Sequence, residues 1–249
     1  MTAHDTTHHV DAARLAGLAR SILSCPADAD LRVDGTDATT PVPVSGTGDG
    51  EHLTLQESDG RPVLTCPPAA PLARAAGEGR GAVLTLTSGL GRPGSPDRRV
   101  VLTLTGRLED AGTEPCPCCA EPRTAAVLHP QLVLLTRHDE HGTGLRTRVP
   151  LRAFWSPAHE LNRGLLQRTA EHANDCHQGE LRVAAAALAV SRPGAVAGAT
   201  LSDLSPDGLT LTWVDAAGAH QRSLPFPRAA RGPRDLGELI RDRLHPGIC

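Results

Sequence analysis

The chain contains no lysine and no tyrosine, so all 25 of its cationic side chains are arginine. Without lysine there is no Schiff-base catalysis and no lysine contact of the kind common in flavin phosphate sites. Without tyrosine there is no phenolic general acid. Aromatic residues are nearly as scarce, with two Phe and two Trp, which leaves few platforms on which bases or a flavin ring could stack. A net charge of −3 gives no basic footprint, so binding to nucleic acid through phosphate neutralisation is disfavoured. No run approaches the ~18 apolar residues that a membrane helix needs. The start MTAHDTTHHV lacks the charged beginning and apolar core of a secretory signal. A cytoplasmic protein without membrane contact is the expectation. There is no G-x-G-x-x-G, no P-loop and no nucleophile elbow, and Ser88-Gly89-Leu90-Gly91 reads as a loop.

What remains is a chain of 249 residues, 39% hydrophobic, enough for one large or two ordinary domains with real cores. Seven cysteines in a reducing compartment do not build a disulfide framework. Cys25, Cys66 and Cys116 are each followed by proline. Such dipeptides are similar to the haem-regulatory motif, in which the thiolate ligates iron, and they also punctuate loops. Cys116, Cys118 and Cys119 lie together between Pro115 and Pro122. They form a candidate thiol site for a metal or redox role, although nothing supplies the second ligand pair of a structural zinc, and His129 falls before a strand. The alternative is an exposed loop.

The first part of the chain reads as a short helix, Ala12–Leu23, and then mostly strands. Asp28–Gly50 is polar and rich in Gly, Pro, Thr and Asp, and is expected to be a long loop with one strand at Pro41–Ser45. Strands are expected at His52–Gln56 and Pro62–Thr65, joined by Asp59-Gly60, a hairpin signal. Further strands fall at Ala82–Thr87, Arg99–Leu108, Gln131–Arg137 and Leu145–Val149, with a helix over Ala69–Ala76. A set of antiparallel strands like this hides its edges best in a closed or nearly closed sheet.

Ser156-Pro157 then opens a helix, since the hydroxyl can cap orphan amides and proline in the first turn loses no needed donor. Leu161, Leu165 and Leu166 recur at helical spacing. An Ala-rich helix, Leu181–Val190, follows, then strand-like stretches at Val196–Leu204, Leu209–Val214 and Gln221–Phe226, and a last helix at Arg234–Leu244. Between the first two helices lies TAEHANDCHQGE, Thr169–Glu180, in which His172 and His177 flank Asn174. On an unbroken helix residues five apart stand ~140° round the axis. Either the helix breaks near Asn174 or the two imidazoles serve different sites. These side chains could also simply fasten the junction by bonding backbone.

The order of two helices, three strands and a helix, with H-x-N-x-x-H at the helix junction, resembles the C-terminal domain of the HugZ-type haem oxygenases, a module also found in the plant glutamyl-tRNA-reductase-binding protein. Asp207-Gly208-Leu209 and Leu224-Pro225-Phe226-Pro227 add to the resemblance. The family pattern reads H-M-N-x-D-H, and here Ala173 and Cys176 stand in the methionine and aspartate positions. The resemblance implies an α+β protein: an N-terminal split β-barrel of the pyridoxamine-phosphate-oxidase (FMN-binding) type over 1–152, and a C-terminal α-α-β-β-β-α domain over 153–249. It implies haem as cofactor, with haem degradation as the activity. His245 stands in a position like that of the C-terminal iron ligand, His172 and His177 are the other candidate iron ligands, and Arg163 and Arg168 are candidates for the propionates. It also implies a homodimer paired through the barrels. Two other readings stay open. One is an FMN-binding oxidoreductase on the same barrel, with Arg98, Arg99 and Arg107 near the phosphate. The other is a cofactor-free regulatory binding module.

Overall fold

A computed structural model of the chain describes residues 3–35, 40–42, 53–115, 121–139, 143–190 and 192–244, and the chain divides into two compact units, Met1–Gly164 and Leu165–Cys249. In the first unit, α1 (Ala3–Ser24) is followed by β1 (Pro26–Val33), β2 (Thr40–Val42), β3 (Thr54–Ser58), β4 (Arg61–Cys66), α2 (Pro71–Gly77), β5 (Gly81–Ser88), β6 (Val100–Pro115), β7 (Pro122–His138), β8 (Gly144–Arg148) and α3 (Leu151–Phe154). The strands form one antiparallel sheet in the order β2-β1-β5-β6-β7-β4-β3, with β8 also on β7. It is a curled half-barrel sheet, compatible with a split barrel.

Alternation in the strands decides which face is core. Leu84 and Leu86 on β5, Leu102 and Leu104 on β6, and Leu128 and Val133 on β7 are fully buried, while Thr85 and Thr103, between the leucines of β5 and β6, are half-exposed. Two-residue periodicity puts every second side chain on one face, so the leucines gather beneath α1 and α2. Ala16, Ala19 and Ile22 of α1, and Leu72, Ala75 and Ala76 of α2, pack into the same core.

Several sequence-based expectations needed correction. The segment expected to be a loop from Asp28 contains β1, which pairs with β5 over Pro26–Val33. Its two aspartates disfavour a strand on propensity. Ala29 and Leu31 nevertheless point into the core while Asp28, Asp30 and Arg32 face out, and burial of the alternating pair wins. β7 is far longer than expected and His129 lies inside it, paired with Arg107. Pro130 within this strand is tolerated at a bulge, where the register shifts between Thr105 and Gly106. Gly106 is required there, because a Cβ would sit 1.9 Å from the His129 carbonyl oxygen. The Asp59-Gly60 turn forms as expected, with positive φ at both residues (51° and 80°), the geometry of a two-residue hairpin.

A buried ion pair ties α1 to this hairpin. Arg20, 2% exposed, reaches Glu57 at 3.0 Å and donates to the Phe154 carbonyl at 3.3 Å. Glu57 also accepts from the Gly60 amide at 2.6 Å and from the Ser24 hydroxyl at 3.2 Å. The Ser24 hydroxyl in turn accepts from the Asn162 amide at 3.0 Å. Burial, and then the Arg20 charge, hold the nearby His159 below the usual imidazole range. Residues beyond α3 therefore pack with α1, and Gly164 is so close to Ser21 that a Cβ would lie 1.8 Å from its carbonyl oxygen. The division at Gly164 follows from these contacts. The boundary expected between residues 152 and 153 falls inside α3.

The second unit contains most of α4 (Arg163–Cys176), then α5 (Gln178–Ala189), β9 (Val196–Ser205), β10 (Gly208–Asp215), β11 (Gly218–Pro225) and α6 (Pro233–Leu244). The three strands form an antiparallel sheet in the order β11-β10-β9. Ser156-Pro157 does not open α4. The Ser156 hydroxyl caps a short 3-10 turn, Pro157–His159, and α4 starts at Arg163. Leu181, Ala184 and Ala185 of α5 are buried together with Leu201, Leu211 and Trp213 of the sheet.

Candidate functional site

The junction between α4 and α5 places the motif. Asn174 does not break the helix. It lies inside α4, and the break comes at His177, whose φ of −122° and ψ of 34° take it out of helical geometry before α5 resumes at Gln178. Asn174 instead serves the free edge of β9. Its side-chain oxygen accepts from the Leu201 amide at 2.8 Å, and its amide donates to the Leu201 carbonyl at 3.0 Å. One turn on, Gln178 donates to the Ala199 carbonyl at 3.0 Å and to the Asn174 carbonyl at 2.8 Å. The two amide side chains, one on each side of the break, both bond the backbone of β9. They satisfy backbone groups of an edge strand that, among the described residues, pairs with β10 alone.

With Asn174 committed to structure, the two histidines differ. His177 is 8% exposed, with its Nδ1 3.7 Å from Glu180. Its Nε2 is buried with no hydrogen-bond partner among the described residues. His172 is exposed, and its ring meets that of His177 edge to face with centroids 5.1 Å apart. The kink at His177 cancels the ~140° separation of a continuous helix. Cys176, one turn after His172, is exposed. No group of three or more His, Cys, Asp or Glu side chains poised for a metal ion occurs among the described residues.

The remaining expected site residues are dispersed. Arg163 is ion-paired with Asp97 at 2.7 Å. Arg168 lies on α4, half-buried and with partners of its own. His245 and the cluster Cys116, Cys118 and Cys119 lie outside the described residues. Cys25 and Cys66 are buried. Burial pushes the Cys66 thiol above its usual range, outweighing the opposing charge of Arg123. A buried neutral thiol is a poor iron ligand, so these two Cys-Pro dipeptides act as chain punctuation. Of the arginines offered to a flavin phosphate, Arg98 is engaged with the Gly91 carbonyl and Arg107 with the Gly79 carbonyl, and Arg99 also has a partner. The donor chemistry fits haem better than FMN. An exposed imidazole at His172 is a ligand that iron takes, whereas His177 can offer its free nitrogen only if the junction opens.

Sequence reasoning missed a second cluster at the end of the β10–β11 hairpin. Trp213 and His220 are directly paired across the strands and their rings stack at 5.2 Å. His220 bonds Asp215 at 2.9 Å. That bond, followed by the Ala217 amide, holds the Asp215 carboxyl below the usual range. Only the alternation of Trp213 and Asp215 on one strand and His220 on the next could have revealed it, and the exact register was needed.

No family model matches this chain, and no curated protein matches it. Among solved structures, the chain is similar to a haem-binding protein from Mycobacterium smegmatis, with 16% identity over 92% of this chain and 96% of that one and a TM-score of 0.41. It is also similar to a protein of unknown function from Agrobacterium tumefaciens, with 19% identity over 92% of this chain and 94% of that one and a TM-score of 0.37.

Proposed function

We propose that this protein binds haem through an imidazole, as a relative of the HugZ-type haem oxygenases, with haem degradation as the corresponding activity. The observation that carries the reading is the junction motif in its setting. The second unit runs α4, α5, β9, β10, β11, α6, and within H-x-N-x-x-H the asparagine is used up on the β9 backbone while Nε2 of His177 has no hydrogen-bond partner among the described residues. His245, just past α6, is the favoured ligand, with His172 next and His177 last because of its burial. Arg163 and Arg168 are the candidates for the propionates, and Arg163 would have to leave its pair with Asp97 to serve. When bound, haem iron supplies oxygen binding and activation. The chain itself supplies the axial imidazole and the cations.

A second reading, a cofactor-free binding module, is favoured by the Arg163–Asp97 pair and by the burial of His177, which together leave the junction looking structural. Titration of haem and, separately, FMN into the purified protein, followed by visible spectra, tests both. Haem binding is expected to give a Soret band that His245→Ala shifts or abolishes without loss of fold. Retention of the band in that variant, with loss in His172→Ala, moves the ligand to the junction. The absence of any haem spectrum under reducing conditions removes the reading and leaves the cofactor-free module.

A further inference from the structure

Alternation across the sheet of the second unit fixes which backbone groups are left over. Asn174 takes both the amide and the carbonyl of Leu201, so Leu201 turns its backbone away from β10. Hydrogen-bonding direction alternates along a strand, so Leu211, opposite Leu201, bonds across to Arg222 on β11, and Trp213 bonds to His220 by the same parity. The amides and carbonyls of Ala219, Gln221 and Ser223 therefore point off the edge of the sheet, and all three residues are exposed. Pro225 ends the row, since it has no N–H to offer. The other sheet edges among the described residues are short, charged or clamped. β2 has three residues. β3 has five and carries Glu57, and β8 has five and carries Arg146 and Arg148. β9 is held by Asn174 and Gln178. In contrast, β11 runs for eight residues in unbroken register with β10, without the bulge or cover that protects an edge of that length.

We propose that β11 is a docking edge for an extended segment of another protein, which adds antiparallel as a fourth strand and sets an acidic side chain opposite Arg222. An edge that offers N–H and C=O groups in alternation at strand spacing is matched by another extended backbone. Arg222 supplies the charge preference, because it is exposed and has no partner among the described residues. His220, on the same face, is already committed to Trp213 and Asp215. The opposite face of the sheet carries no charge in these rows: Ser223, Gln221 and Ala219 lie beside Thr210, Thr212 and Val214. The added strand therefore has uncharged, β-branched residues on that side, and an acid with an apolar neighbour opposite Leu224 on the other. A second copy of this chain is a poorer match. Pairing β11 with itself about Gln221 sets Arg222 against His220 and brings it no free carboxylate. Nothing in this arrangement depends on haem.

The test titrates the full chain, isotopically labelled for NMR, with the blocked peptide Val-Thr-Glu-Thr-Thr-Val at millimolar concentration. Its Glu lies opposite Arg222 when its first Val lies opposite Leu224. Amide exchange at Ala219, Gln221 and Ser223 is expected to slow, while exchange at His220 and Arg222, already bonded to β10, stays as it was. The same peptide with Arg in place of Glu should bind about tenfold more weakly, and Arg222→Glu should reverse that preference. Gln221→Pro removes an outward N–H that β10 does not use, and should weaken binding of the first peptide by about tenfold with the fold kept. The charge swap decides the matter if the proline variant does not fold. Absence of binding, protection that maps to another surface, or equal affinity for the two peptides overturns the proposal. So does self-association of the wild type that Gln221→Pro abolishes, since the edge would then belong to a second copy.

Discussion

The imidazoles of His172 and His177 meet edge to face, 5.1 Å between centroids, although they are five residues apart in a segment that is helical on both sides. The contact exists because His177 leaves helical geometry, and the helices are held at that kink by Asn174 and Gln178 gripping β9. The kink therefore depends on the amides, and the position of the imidazoles depends on the kink.

Replacing Asn174 by Ala removes both bonds to Leu201 and leaves a buried amide and carbonyl unpaired. The expected loss is about 2–4 kcal/mol, since each buried unsatisfied group costs about 1–3 kcal/mol. Urea denaturation measures it. A loss below about 0.5 kcal/mol would mean that Asn174 does not hold the edge.

In the first unit, Glu57→Ala strands Arg20, which is 2% exposed, without its carboxylate partner. Breaking a buried pair on one side costs about 3–5 kcal/mol. Glu57→Gln keeps an acceptor for the Gly60 amide and should lose less. Equal losses in the two variants would show that the charge of Glu57, and not its role as an acceptor, carries the effect.

At the end of α5, Val190 is 95% exposed and has a φ of 53°. A β-branched residue is strained in this left-handed C-cap, and no packing is lost by shortening its side chain. Val190→Gly is expected to raise stability by roughly 1 kcal/mol, read as an increase in Tm. A fall in Tm would argue against the strain.

Asp235 is held at about 2, first by the Arg228 side chain and then by the Arg231 amide. Its folded value lies below its unfolded one, so it contributes stability that is present above the ordinary carboxylate range and is lost as pH falls toward 2. In Asp235→Asn this part of the acid dependence should disappear, which a comparison of denaturation at pH 6 and pH 3 would detect. An unchanged pH dependence would place the effect elsewhere.

Local physics made much of this protein legible from sequence. Alternation in Val100–Leu108 marks a half-buried strand because side chains point to opposite faces whatever the fold. Asp59-Gly60 marks a hairpin because few residue pairs accept positive φ. The order of elements in the second unit follows from their periodicities, and the presence of arginine alone as cation is plain from composition. Tertiary structure decided what those signals could not. β1 forms despite Asp28 and Asp30 because β5 offers a partner strand and the core takes Ala29 and Leu31, which is a gain that no local propensity contains. β7 runs through Pro130 because Gly106, distant in sequence, leaves room for the bulge. Asn174 proved to be an edge clamp and His177 a kink because β9 lies beside them. A side chain's role is set by the groups it meets, and chain order does not say which groups those are.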